Sequence, residues 1–173
     1  VDSLVGSEMC IRDRLKGWSV CGENEICLKW PNDVYIRTAE GRMAKAGGVL
    51  FEAVSQGRKH RLVLGIGANT RASSGGEFAG IADLGLDLDA ATLHSAVHAL
   101  VASLFESLNG LPSTKVDSIR IEAAVMHGFS LLGMPLYRGE ELAVDGLDEG
   151  GALVIKGDEP IMDDPELLTW STL

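Results

Sequence analysis

The sequence predicts an α+β protein: a mixed, largely antiparallel sheet packed by helices, followed by a small β unit at the C-terminal end. Three observations predict it. Strand-like blocks separated by turn residues run from position 25 to 66, two helical stretches lie between positions 87 and 127, and short alternating runs with glycine-rich turns follow Leu136.

The strand blocks are Glu25 to Trp30 with Val34 to Arg37, then Ala46 to Val54, then Arg61 to Ile66. Asn32-Asp33, Glu40-Gly41 and Gln56-Gly57 are turn signals between them, so consecutive strands should pair as an antiparallel meander. Within the first block, strand alternation puts Ile26, Leu28 and Trp30 on one face and Cys27 and Lys29 on the other. Lys29 should then point toward something polar. Gly65, Gly67, Gly75, Gly76 and Gly80 mark a loop-rich stretch too polar and glycine-rich for a core.

The first helix begins after Asp87 or Asp89, either able to cap it, and ends before Gly110. Leu93, Val97, Leu100, Val101, Leu104 and Leu108 recur at helical spacing, which predicts a face packed on the sheet. A second helix is predicted from Ser113 to about His127, with Val116, Ile119, Ala123 and Met126 inward, before Gly128 and Gly133 break the pattern. Beyond it, "ELAVDG" and "GALVIKG" flank Asp148-Glu149-Gly150-Gly151, a hairpin signal within a β unit small enough to be barrel-like.

The 173 residues suit one domain, or one domain with a small appendage. With 46% hydrophobic and 23% charged residues the chain is of ordinary globular composition. Its net charge of -10 disfavours broad nucleic-acid binding, which needs Lys and Arg to neutralise phosphates, and points to small molecules or proteins as partners. No apolar run is long enough for a membrane span. Cys10, Cys21 and Cys27 form no CxxC pair, and His94 and His98 lack the Glu of HExxH, so neither set predicts a metal site; a reducing, cytoplasmic setting is the default.

Residues Ser3 to Arg14, SLVGSEMCIRDR, look like an in-frame translation of a transposon-end sequencing adapter, with Leu4 through Asp13 matching codon by codon. Residues 1–14 are therefore set aside from fold reasoning, and the expectation is an N-terminally truncated fragment whose native sequence enters near Leu15. Setting them aside removes Asp2, Glu8, Asp13, Arg12 and Arg14, which moves the net charge from -10 only to -9.

Three stretches could carry chemistry. In Lys29-Trp30-Pro31-Asn32-Asp33, Pro31 fixes its own φ and holds Trp30 extended, while Asn32 and Asp33 can bond back to a turn. A lysine set on such a corner suits a phosphate or carboxylate, and it equally suits an edge-strand charge that discourages aggregation. Gly65-Ile66-Gly67-Ala68-Asn69 superficially resembles the start of a dinucleotide fingerprint. It has Thr70 next and no strand-to-helix context, so its paired glycines more simply allow close approach by backbone or ligand. Lys45-Ala46-Gly47-Gly48-Val49-Leu50-Phe51-Glu52 opens an apolar strand with two small residues, which permits a ligand over bare backbone or close packing alike.

Taken in order, KWPND, KAGGVLFE and LVLGIGAN resemble the biotin protein ligase family, whose members show K-W-P-N-D, K-x-A-G-I-L-x-E and a hydrophobic run ending G-x-G-x-N at similar spacing. "LAVDGLDEGGALVI" looks like the family's C-terminal signature, so the resemblance covers nearly all of the chain from Leu15 onward. It implies that residues 15–130 are the C-terminal part of a class II synthetase-like biotin/lipoate ligase catalytic domain and residues 131–173 an SH3-like β-barrel. It also implies the activity of a biotin–[biotin carboxyl carrier protein] ligase: ATP and biotin give biotinoyl-5′-adenylate and pyrophosphate, and the acyl group passes to a lysine of a carboxylase's carrier domain. Mg2+ is expected with ATP, and a homodimer through the main sheet is common in the family.

By the same resemblance Lys29 would be the catalytic lysine that contacts the biotin carboxylate and α-phosphate. Gly65 and Gly67 would floor the biotin tail, Gly47 and Gly48 would lie beneath the ligand, and Asn69 would stand near the adenine and triphosphate. Trp30, Pro31, Asn32 and Asp33 would shape the corner. The family's Ser-Thr-Asn segment and its Gly-Arg-rich lid loop are not in this chain, so the chain alone is expected to be inactive. Ala68 and Thr70 also depart from the commoner family residues. The rival readings are a lipoate ligase or octanoyltransferase, which shares fold and lysine, and a non-catalytic binding module. DNA binding has no support in these residues.

Overall fold

The computed structural model describes residues 26–57, 59–110, 118–148, 150–157 and 164–170. Strands β1 (Ile26–Lys29), β2 (Asp33–Arg37), β3 (Met43–Gln56) and β4 (Lys59–Ala68) lie in chain order in one antiparallel sheet. This is the meander that the turn residues predict. Gly41 (φ 84°) and Gly57 (φ 62°) occupy its second and third turns in the left-handed region that glycine enters without a Cβ penalty. β3 and β4 extend beyond the predicted runs because pairing continues to Gln56 and Lys59, next to a tight turn.

Paired residues share a face, so Cys27, Lys29, Asp33 and Tyr35 stand on one side of the sheet and Ile26, Val34 and Ile36 on the other. Both sides meet an apolar core. One core joins Cys27, Trp30 and Tyr35 to Val125, Phe129 and Leu132, and to Val144, Leu153, Ile155, Leu168 and Trp170 near the C-terminal end. The other gathers Ile36, Ala44, Ala46 and Ala79. The predicted alternation of Ile26 and Leu28 against Cys27 and Lys29 holds, but the expected separation of an apolar from a polar face, with Trp30 on the apolar one, is corrected. Cys27 is buried, Leu28 is 40% exposed and Trp30 joins the Cys27 core. With the sheet covered on both sides, alternation no longer separates apolar from polar.

After β4 the backbone returns along β3. Ala79 N–H donates to Lys45 O (3.0 Å), and Ile81 N–H donates to Asn69 O (2.9 Å) before a 3-10 turn at Ile81–Leu84. The glycine-rich stretch is thus not wholly outside the core: Ala79 is completely buried, and Gly65 and Gly67 belong to β4.

Helix α1 (Ala90–Gly110) is capped by Asp89, whose carboxylate accepts from Thr92 N–H at 2.7 Å. Its predicted docking is corrected: Leu93, Val97 and Val101 are only half-buried, Leu100 is exposed, and neither core includes an α1 residue among those described. Ala90, Ala91, Ala96, Ala99 and Ala102 sustain the helix by intrinsic propensity in place of burial. The side chains of Leu104 and Leu108 lie outside the described ones.

Helix α2 (Ser118–Leu132) ends five residues later than predicted, the predicted start at Ser113 lying outside the described residues, and buries Val125, Phe129 and Leu132, at i, i+4 and i+7. Met126 packs at the core's margin, Ala123 is exposed, and Val116 and the Ile119 side chain lie outside the described residues. Gly128 is not a break. It sits inside the helix where a Cβ would overlap the Leu28 carbonyl oxygen, so its bareness lets α2 lie directly on β1. Gly133 (φ 84°) is the true stop, its N–H donating to Phe129 O at 2.9 Å.

Two small sheets follow. β5 (Leu136–Tyr137) pairs with β6 (Glu140–Glu141) and with β9 (Leu168–Thr169), while β7 (Val144–Leu147) and β8 (Leu153–Ile155) form the predicted hairpin. Asp148 Oδ1 ties the hairpin turn by accepting from Gly150 and Ala152 N–H, both at 2.9 Å. No closed barrel forms among the described residues, because β7–β8 and β6–β5–β9 remain separate sheets. They share the Cys27 core instead.

Candidate functional site

The corner after β1 is fixed by long-range contacts. Trp30 is buried and its indole N–H donates to Gly151 O at 2.9 Å; the Trp30–Pro31 peptide is cis, and Asn32 O accepts from Val49 N–H at 2.9 Å. Pro31 and the Asn32 side chain stay exposed. β2 then begins with Asp33, which pairs with Lys29 across one ladder and with Gly48 across the next.

A bulge in β3 does what the sequence did not reveal. Val34 pairs with Gly47 and Tyr35 with Lys45, so Ala46 is left over and Lys45 turns onto the face of Asp33 and Gly48. Lys45 Nζ stands 2.7 Å from Asp33 Oδ1 in a partly exposed ion pair.

Beside this pair lies an open cleft of about 540 Å³. Asn32 and Asp33 of the corner, Lys45 and Gly47 to Leu50 of β3, Gly65 to Gly67 of β4, Asn69 and Phe78 line it. The three sequence motifs, separated along the chain, thus meet at one concavity.

The glycines there have different reasons to be bare. A Cβ on Gly47 would overlap the Gly67 carbonyl oxygen, and one on Gly48 would stand 2.9 Å from Asp33 Oδ1; both are needed by the protein's own packing. Added Cβ atoms on Gly65 and Gly67 would find nothing closer than 3.5 Å and 4.0 Å, which is ordinary contact or open space. The space these two leave empty is the cleft itself. Asn69 uses its amide nitrogen on backbone, donating to Ala79 O (3.2 Å) and Lys45 O (3.4 Å), so it straps the returning loop to β3 while lining the cleft.

Lys29 is elsewhere. It does not line the cleft; its Nζ lies 4.1 Å over the Trp170 ring and 5.9 Å from the Tyr35 centroid. Burial pulls its pKa below the ordinary lysine value, with the Asp33 charge opposing that shift and the Lys45 charge adding to it. Burial likewise pushes the Cys27 thiol up to about 11, and it raises the Tyr35 hydroxyl with help from the Asp33 charge.

Sequence reasoning therefore singled out the lysine at the corner, while the cleft holds the lysine of the second motif. Nothing local marks Phe78 or Trp170. Arranged this way, a cation held by a carboxylate above bare backbone can receive an anionic group whose flexible remainder lies along the glycines. No protein-family model matches the chain, and no curated protein matches it.

Proposed function

We propose that the chain is part of a biotin protein ligase, which activates biotin with ATP to biotinoyl-5′-AMP and passes the acyl group to a lysine of a biotin carboxyl carrier domain. One observation carries the reading: KWPND, KAGGVLFE and LVLGIGAN, the ordered motifs of the resemblance, converge on a single cleft with a cation at its edge and glycine backbone as its floor. In this reading the described sheet and helices belong to a class II synthetase-like catalytic domain, and the two small C-terminal sheets are the counterpart of the family's SH3-like domain. A cytoplasmic setting and a homodimer through the sheet belong to the same reading.

The chemistry assigned to these residues is electrostatic. Lys29 of KWPND is, in this reading, the lysine that meets the carboxylate and α-phosphate oxygens, and Lys45 at the cleft edge adds charge that offsets the negative charge growing as carboxylate oxygen attacks phosphorus and pyrophosphate departs. Asp33 keeps that ammonium in register, and Gly65 and Gly67 admit the acyl tail against backbone. The described residues hold no group of three or more His, Cys, Asp or Glu side chains suited to a metal ion. Mg2+ would accordingly be held by the triphosphate it accompanies, supplying charge neutralisation there.

Biotin-dependent exchange of pyrophosphate into ATP tests the reading, measured on this chain and on the product of the uninterrupted reading frame. Exchange is expected in the longer product alone, and Lys29→Ala there should lower it by about 10²- to 10³-fold. A longer product that folds, contains Lys29 and shows no exchange overturns the ligase reading. The same lysine with lipoate or octanoyl substrates in place of biotin would shift it to the related acyltransferases.

A further inference from the structure

The turn between β7 and β8 is organised around one residue. Asp148 N–H donates to Ala152 O (2.9 Å), its own carbonyl accepts from Gly151 N–H (3.0 Å), and its Oδ1 accepts from Gly150 and Ala152 N–H, both at 2.9 Å. The strand before it is fixed to α2. Glu122 Oε2 accepts from Leu147 N–H at 3.1 Å, and Gly146 is bare where a Cβ would stand 2.9 Å from that oxygen. The hairpin therefore has an anchored base, and Asp148 governs its tip.

The tip matters because of one peptide plane. Gly151 C=O and Ala152 N–H belong to the same trans unit and point in opposite directions. Its N–H end is held by Asp148 Oδ1, and its C=O end accepts from the Trp30 indole N–H, both at 2.9 Å. Gly151 (φ 86°) has no Cβ to limit rotation of that plane, so the carboxylate sets its angle. Trp30 is 5% exposed, and the chain beyond it supplies Asn32, whose carbonyl accepts from Val49 N–H at 2.9 Å, and Asp33, which pairs with Lys45 at 2.7 Å. Asn32, Asp33, Lys45 and Val49 line the cleft, whereas Asp148 does not.

We propose that Asp148 is a positioning residue for the cleft: by fixing the Gly151–Ala152 peptide it aims the Trp30 indole, and through it the corner on which Asn32 and Asp33 stand. Its importance to an acyl-adenylating site rests on the ligase reading. The linkage from Asp148 to Val49 is measured with no ligand present, so either can fail without the other.

Hydrogen exchange in the whole chain, read by NMR, is the test. In the unaltered protein the Trp30 indole N–H and the Val49 amide should both exchange slowly. Asp148→Ala should speed both several-fold, while the Leu142 amide, bonded to Pro135 O at 2.9 Å beside the neighbouring small sheet, keeps its rate. Asp148→Asn, which retains an acceptor oxygen at the same place, should return both to near their unaltered rates. Asp164→Ala removes a similar cap, from Glu166 N–H, at a turn outside this series of contacts and should move neither. Unchanged indole and Val49 rates in Asp148→Ala, a rise that Leu142 or Asp164→Ala shares in full, or no recovery in Asp148→Asn overturns the proposal. Should Asp148→Ala fail to fold, Trp30→Phe, which removes the donor and keeps an aromatic ring, should speed Val49 exchange in its place, and an unchanged Val49 rate there is equally fatal.

Discussion

Asp33 has a lysine on either side, and the two occupy different surroundings. Lys29 lies at the closed end of the sheet face they share, where α2 and the C-terminal strands complete a core and two aromatic rings flank the ammonium. Lys45 lies at the open end of the same face, over glycine backbone and a cleft reached by solvent. The difference shows that a lysine's surroundings follow from which neighbours the fold supplies and not from the rigidity of the corner it sits on. The closed end should answer substitution through stability, the open end through binding.

The largest contrast should come from apolar truncation. Phe129→Ala, in the closed core, is expected to cost about 3–5 kcal/mol, while Leu50→Ala, 55% exposed beside the cleft, should change stability by less than about 0.5 kcal/mol. Urea unfolding reads both, and equal costs would mean that the two ends are packed alike. Next come the glycines. Gly47→Ala should destabilise by about 1–3 kcal/mol because backbone must move, whereas Gly67→Ala should be tolerated within about 1 kcal/mol and obstruct a ligand instead. A stable Gly47→Ala would remove the packing explanation for that motif.

A smaller effect is expected from alkali. The folded state favours the neutral Cys27 thiol, so its contribution is complete below its ordinary pKa of 9.0 and is lost as pH rises through about 11. Lys29 works the other way: its depressed pKa makes the buried charge a cost that lifts as pH climbs from that lowered value toward 10.5. Cys27→Ala should therefore reduce the alkaline loss of stability by about 1–2 kcal/mol, seen in unfolding midpoints below and inside that window. A parallel loss in the variant would assign it to other groups. Smallest is Lys45→Met, whose partly exposed ion pair should contribute no more than about 1 kcal/mol to thermal stability. A larger loss would place Lys45 in the scaffold.

Much of the fold was legible because its signals are local. Turn residues at Glu40-Gly41 and Gln56-Gly57 announced the meander, and Asp148 with its glycines announced the β7–β8 hairpin. Gly128 misled for a physical reason: glycine in a helix pattern reads as a break unless the backbone lying against it is known, and that backbone is Leu28, far away in sequence. The docking of α1 misled because an apolar stripe states what a helix can cover, not that a surface is there to be covered. At the site, residue types and order found the cleft, but the presence of Lys45 in its lining depends on one surplus residue in a ladder, and alternation cannot count a bulge it does not know of.

The bond from the Trp30 indole to Gly151 spans 121 positions of sequence. Closing so long a loop carries an entropic penalty that neighbouring strands do not incur, so contacts of this kind form slowly. The meander can pair as soon as its own turns are made, yet the corner that aims Asp33 and Lys29 waits for the far end of the chain. Assembly of the site is thus set to be a late event, timed by residues that never touch the cleft.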